Sequence, residues 1–136
     1  MLKDRVVPKL RRYFASAPAG IVAAYLFGSV ARGQERADSD VDVGIVFAAG
    51  KPDSLDALDR VARLQDGLTV AIGREVDLVP LNGAPPDLLH RVLMDRVLLH
   101  DGDHERRIEF EVRARNEYFD LAPCLERYRR EVLRRA

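Results

Sequence analysis

Asp40 and Asp42 are separated by one residue in the run Ser39-Asp40-Val41-Asp42-Val43-Gly44-Ile45-Val46-Phe47. On a strand, side chains two apart project to one face, roughly 6.6 to 7 Å apart at their α-carbons, so both carboxylates can converge on one cation while Val41 points into a core. Two like charges this close on a half-buried strand are unfavourable unless a cation or hydrogen-bond donors offset them. All-oxygen donors with no neighbouring His or Cys pair select magnesium, or manganese, over zinc. Two such ions, roughly 3.5 to 4 Å apart, would activate an attacking hydroxyl and neutralise a leaving pyrophosphate in an in-line displacement. Asp77, in Glu75-Val76-Asp77-Leu78-Val79, is the third carboxylate, since an unpaired charge among apolar strand residues is expensive. It would be the base or the base-side ligand, with Glu75 on the same face as its substitute.

Ahead of the paired aspartates, Gly28-Ser29 ends an apolar run. Gly28 lets the backbone turn with no side chain in the way, so amide hydrogens and the Ser29 hydroxyl can approach phosphate oxygens. A short helix beginning at Val30 and Ala31 would aim its positive end at the same anion. Arg32 either touches phosphate or buttresses the loop Asp38-Ser39-Asp40, and Ser39 shapes the approach to Asp40. With Gly28 and Ser29, these two complete the candidate nucleotide-binding residues.

The elements that must position these groups follow from periodicity. Val6, Leu10 and Phe14 predict an amphipathic helix over residues 2–15, stopped by Ser-Ala-Pro-Ala-Gly. Residues 21–27, IVAAYLF, read as a strand buried on both faces, and VDVGIVF as a second strand. After AAGKPD, Ser54 or Asp53 caps a helix in which Leu55, Leu58, Val61, Leu64 and Leu68 form the apolar stripe. A third strand spans 75–81, with Pro80 limiting its pairing. A helix from Asp87 to Met94 and an edge strand at 97–100 precede a turn at Asp101-Gly102. From Asp103 onward a long helix carries Ile108, Val112, Phe119, Ala122, Leu125 and Val132 at helical spacing, and Pro123 should kink or split it. Glu109 with Arg113, Glu111 with Arg115 and Glu126 with Arg130 sit four apart, as ion pairs on a helix do. The order of elements predicts an α/β fold, a small sheet with helices packed on it.

Composition bounds the rest. The chain of 136 residues is 47% hydrophobic, and acidic and basic residues balance at 22 each. That suits one domain, with a catalytic core over about 21–81 and a helical segment over about 103–135. It argues against direct nucleic-acid binding by bulk charge, and no stretch approaches the roughly 20 apolar residues of a membrane span. The basic residues are mostly arginine, with lysine only at Lys3, Lys9 and Lys51. The single cysteine, three scattered histidines and the absence of a signal-peptide pattern in MLKDRVVPKLRRYF fit a reducing cytoplasm.

Gly28-Ser29, ten residues, then Asp40-Val41-Asp42 resembles the signature of the polymerase-beta-like nucleotidyltransferase superfamily. The fuller string GSVARG followed by SDVD is similar to its small bacterial branch, the minimal nucleotidyltransferases. The resemblance covers about Ile21 to Pro80. It implies a mixed sheet flanked by helices, ATP as donor, Asp40 and Asp42 as metal ligands, Asp77 as third carboxylate, and Gly28 and Ser29 on the triphosphate. It also implies a partner. Members of this branch are often encoded beside a HEPN-type ribonuclease toxin and serve as antitoxin by transferring AMP onto a toxin tyrosine, so a hetero-oligomer is expected.

Larger relatives, such as aminoglycoside nucleotidyltransferases and CCA-adding enzymes, carry further domains for the acceptor, for which this chain has little room. Two other readings are a non-catalytic antitoxin that covers its toxin, and a small-molecule nucleotidyltransferase, which would need a concave acidic pocket. Of the remaining residues, Tyr118, Phe119 and Tyr128 are expected in packing, Cys124 buried, and the arginines of the last helix on a solvated face.

Overall fold

The computed structural model describes residues 1–16 and 19–135. Helix α1 (Leu2–Ala15) buries Val6, Val7, Leu10 and Phe14. Its C-cap is Ser16, and Ala17 and Pro18 of the expected stop lie outside the described residues. Strand β1 (Ile21–Phe27) is buried along its whole length. A single helical turn, α2 (Gly28–Ala31), leads through a loop to β2 (Val41–Phe47). Then follow α3 (Leu55–Ile72), β3 (Val76–Pro80), α4 (Pro86–Asp95), β4 (Val97–Asp101) and α5 (His104–Arg135).

The sheet order is β3-β2-β1-β4. β1 is antiparallel to β2 and β4, whereas β2 and β3 run parallel, which requires the long crossover that α3 provides. α1 and α3 cover one face, where Leu10, Phe14, Leu26, Val43, Ile45 and Leu68 pack together. α4 and α5 cover the other, with Val22, Tyr25, Phe27, Leu89, Val92 and Ala114. β1 is apolar throughout because both its faces are roofed; burying each such Leu, Val or Phe side chain contributes about 1.5–3 kcal/mol.

Both sheet edges are closed by side chains. On β3, Val76 N–H donates to Thr69 Oγ1 (3.1 Å) and Leu78 N–H to Gln65 Oε1 (3.0 Å), both from α3. On β4, Arg11 Nη2 donates to the Leu98 carbonyl (3.0 Å). These bonds satisfy strand groups that would otherwise invite another chain. Pro80 does end the β3 ladder, opposite Ile45. The Asn82 side-chain amide replaces the missing strand, accepting from Phe47 N–H (2.8 Å) and donating to its carbonyl (3.0 Å).

The helical stripes differ from the expected ones where a helix outruns its support. Ser54 caps α3 as predicted, accepting from Ala57 N–H. The stripe that packs is Val61, Leu64, Leu68 and Ile72, while Leu55 (86% exposed) and Leu58 (51%) face solvent, because the first turns of α3 pass beyond the sheet. In α5 the inward face carries Arg107, Phe110, Glu111, Ala114 and Tyr118; Ile108, Val112, Phe119 and Val132 are exposed, and the Leu125 side chain lies outside the described residues. Pro123 does not split α5. Past Ala122 every described side chain is exposed, including Cys124 and Tyr128, since nothing roofs those turns. Tyr118 does pack between helices, stacked on His90 of α4 at 3.6 Å. Glu126 pairs with Arg130 as expected, but Glu111 pairs with Arg107, one turn back, rather than with Arg115.

Candidate active site

The site forms where the C-terminal end of β1 meets the N-terminal ends of β2 and β3. Phe27 lies opposite Asp42, and Asp42 lies opposite Asp77, so one register line runs from the Gly28 turn across two carboxylates. Asp40 sits one residue before β2 and is exposed. The strand alternation places Asp42 on the face covered by α4 and α5, as its neighbours Val41 and Val43 belong to the opposite core. Burial pushes the Asp42 carboxyl above its ordinary range, and the charges of Asp77 and then Asp40 push it further, with Arg32 opposing. Asp77 and Asp40 therefore both act electrically on Asp42. Asp77 is exposed, so the cost of burying it is not what marks it; its register opposite Asp42 is.

Among the described residues no three acidic, His or Cys side chains stand close enough to hold a metal ion as they are. The residues nonetheless fit a divalent cation. The donors are carboxylate oxygens, the hard ligands magnesium takes, and the Asp42 carboxyl, raised first by burial, also feels the negative charges of Asp77 and Asp40, which a cation would relieve.

Gly28 has φ +81°, and a Cβ there would collide with Asp42 Oδ2, so the turn requires glycine both for its conformation and for the closeness of the carboxylate. α2 begins at Gly28, and Ser29 is half-buried in its only turn, with its carbonyl accepting from Gln34 N–H (2.8 Å). Ser39 Oγ accepts from Arg36 N–H (2.8 Å), closing the loop just before Asp40.

Arg32 is placed differently. It does not buttress the 38–40 loop; its Nη1 pairs with Asp95 Oδ2 at 3.2 Å and its Nε with Gln34 Oε1 at 3.3 Å. The buttress is Arg74, whose guanidinium donates to the carbonyls of Ser39 (3.0 Å), Ala37 (2.9 Å) and Arg36 (3.2 Å). The Gly28 amide, expected on phosphate, donates instead to Asp95 Oδ2 at 2.8 Å. Neither Arg74 nor Asp95 was identifiable beforehand. Both act across more than thirty positions, and no local motif marks them; the nearest signal was an acid ending an amphipathic helix.

Apart from the aspartates, a concavity of about 620 Å³ lies between α4 and α5, lined in part by Tyr25, His90, Arg96, Arg107, Glu111 and Arg115. The Tyr25 hydroxyl donates to Glu111 Oε1 (2.9 Å), and burial and the Glu111 charge push its pKa far up. With three arginines to one carboxylate, this cavity is not the acidic pocket a polycationic acceptor would need.

Such a sheet, with a glycine-serine turn delivered onto paired aspartates, defines a nucleotidyltransferase of the polymerase-beta type. The chain belongs to that family: residues 8–105 match the domain described as Polymerase beta, Nucleotidyltransferase. It is 33% identical over 96 residues to a provisionally named protein adenylyltransferase of Methanocaldococcus jannaschii, covering 71% of this chain and 91% of that one. It is 37% identical over 71 residues to the protein adenylyltransferase MntA of Shewanella oneidensis, covering 51% of this chain and 46% of that protein. Its fold superposes with a TM-score of 0.69, at 21% identity and over 96% and 98% of the two chains, on a chain of the solved complex of tri-AMPylated Shewanella oneidensis HEPN toxin with MNT antitoxin.

Proposed function

We propose that this chain is a magnesium-dependent protein adenylyltransferase that transfers AMP from ATP to a hydroxyl, best a tyrosine, of a partner HEPN-type toxin, and so serves as its antitoxin. The observation that carries this reading is the register line joining the Gly28 turn, Asp42 and Asp77. It is supported by relatives named protein adenylyltransferases and by the likeness to a chain of a toxin–antitoxin complex. The whole chain would work as one catalytic unit in a reducing cytoplasm, in a hetero-oligomer with the toxin.

In this reading Asp40 and Asp42 hold the divalent ions, two as expected, and manganese can replace magnesium. Bound there, the metal would supply the positive charge that eases deprotonation of the acceptor and offsets the charge of departing pyrophosphate. Ser29 and Arg32 donate to triphosphate oxygens and hold the α-phosphorus facing the acceptor. The acceptor oxygen gives up its proton towards Asp77 and bonds to the α-phosphorus as the bond to the β-phosphate bridging oxygen breaks; AMP stays on the acceptor and pyrophosphate leaves. The exposed apolar side chains along α5, Phe119, Tyr128, Val132 and Leu133, offer surface for the partner.

The test is to incubate the chain with ATP, magnesium and the HEPN-type toxin, then weigh the toxin. A mass gain of one or more AMP units on a tyrosine is expected. No gain with both proteins folded overturns the reading.

A further inference from the structure

Asp95 is the last residue of α4, three positions after the fully buried Val92 and therefore on the same, sheet-facing side of the helix. Arg96, the only non-glycine residue with positive φ among the described residues (+51°), ends the helix there in the left-handed conformation. The Asp95 side chain is 8% exposed. A desolvated carboxylate at the negative end of a helix is unfavourable on both counts, so its position must rest on what it binds. One oxygen, Oδ2, accepts from the Gly28 amide at 2.8 Å and from Arg32 Nη1 at 3.2 Å.

Arg32 thus has two acidic neighbours. It touches Asp95, and it acts on Asp42 through its charge, without an ion pair between them. Its side chain is 41% exposed and free to move once released. Asp95 from one side and Gln34 from the other take Nη1 and Nε, and Nη2 makes no hydrogen bond among the described residues.

We infer that Asp95 is a positioning residue of the nucleotide site: it holds Arg32 away from Asp42 and fixes the Gly28 amide, so the turn meets an incoming triphosphate already formed. The inference rests on the nucleotide reading proposed above. Freed from Asp95, the guanidinium would be drawn towards Asp42, on which its charge already acts, removing a phosphate donor and a carboxylate from the site at once. Asp95 acts through Arg32 and Gly28 and does not itself touch the substrate.

The test is a double-mutant cycle on binding of magnesium–ATP to the full chain, measured calorimetrically with no acceptor present. Wild-type binding reports on the nucleotide reading; the shift caused by Asp95→Asn reports on this one. Asparagine keeps an acceptor for the Gly28 amide and removes the charge that holds Arg32, so the dissociation constant should rise about tenfold. In an Arg32→Ala background the same change should alter it by less than about twofold, because the residue acted upon is gone. Gln34→Ala, an exposed change that spares the buried carboxylate, should give a smaller rise in the same direction. Equal effects of Asp95→Asn with and without Arg32 would reduce Asp95 to a structural role. Tighter binding on Asp95→Asn would mean that Asp95 competes with phosphate for the Gly28 and Arg32 donors, and would overturn the inference outright.

Discussion

Gly28 and Asp42 are packed so closely that a β-carbon on the first would overlap the carboxylate oxygen of the second. The turn that would face the triphosphate and the carboxylate that would hold the metal therefore share a wall. Gly28→Ala faces this overlap and a left-handed backbone costing roughly 1–2 kcal/mol. The variant should remain folded with a melting temperature lowered by several degrees, and AMP transfer should fall at least about a hundredfold as Asp42 is displaced. Thermal melts beside a transfer assay check both; transfer within a few-fold of wild type would refute the shared wall.

Asp42→Asn separates stability from activity. The Asp42 carboxyl is raised from 3.8 by burial first and by Asp77 and Asp40 next. A folded pKa above the unfolded one means the native state binds the proton more tightly, so stability falls as pH rises from 3.8 through the raised value. In chelator at neutral pH the asparagine variant should melt slightly higher than wild type, with the difference vanishing below pH 3.8, while transfer is lost. A lower melting temperature at neutral pH contradicts the repulsion.

Arg74→Ala tests the buttress. Removing the guanidinium releases the carbonyls of Arg36, Ala37 and Ser39 just before Asp40. Because that loop leads directly into Asp40, transfer should fall about ten- to a hundredfold, with Arg74→Lys recovering only part, since an ammonium on a shorter stem cannot keep the Nε bond to the Ser39 carbonyl while Nη2 serves Arg36, Ala37 and Ser39. Rates for the two variants at saturating magnesium decide it; full recovery by lysine would mean charge alone suffices.

The second face has its own pH signature. The Asp101 carboxyl is held below 3.8 by its hydrogen bond with His104 first, which outweighs the opposing effect of burial, with Arg107 adding to the lowering. A depressed folded pKa contributes stability above the unfolded value that is lost as pH falls through the folded one. Asp101→Asn should therefore melt lower than wild type at neutral pH, with the gap closing below pH 3.8. A gap that persists in acid would assign the loss to packing instead.

What the residues alone determined were the features governed by short spacing. The two-residue alternation of Asp42 and Gly44, the all-apolar β1 and the Ser54 cap are each local consequences of backbone geometry, and all reappear in the fold, with Asp40 one residue ahead of β2. The family, too, was legible in GSVARG and SDVD. Tertiary structure alone decided which turns of α3 and α5 find a sheet beneath them, which is why Leu55, Leu58, Ile108, Val112 and Cys124 are exposed despite their spacing or type. It also decided that Asp95 takes the Gly28 amide and Arg32, and that Arg74 rather than Arg32 pins the loop before Asp40. Those partners are more than thirty residues apart, and a charged side chain carries no periodicity that says which distant group it will meet; chain packing supplies that address.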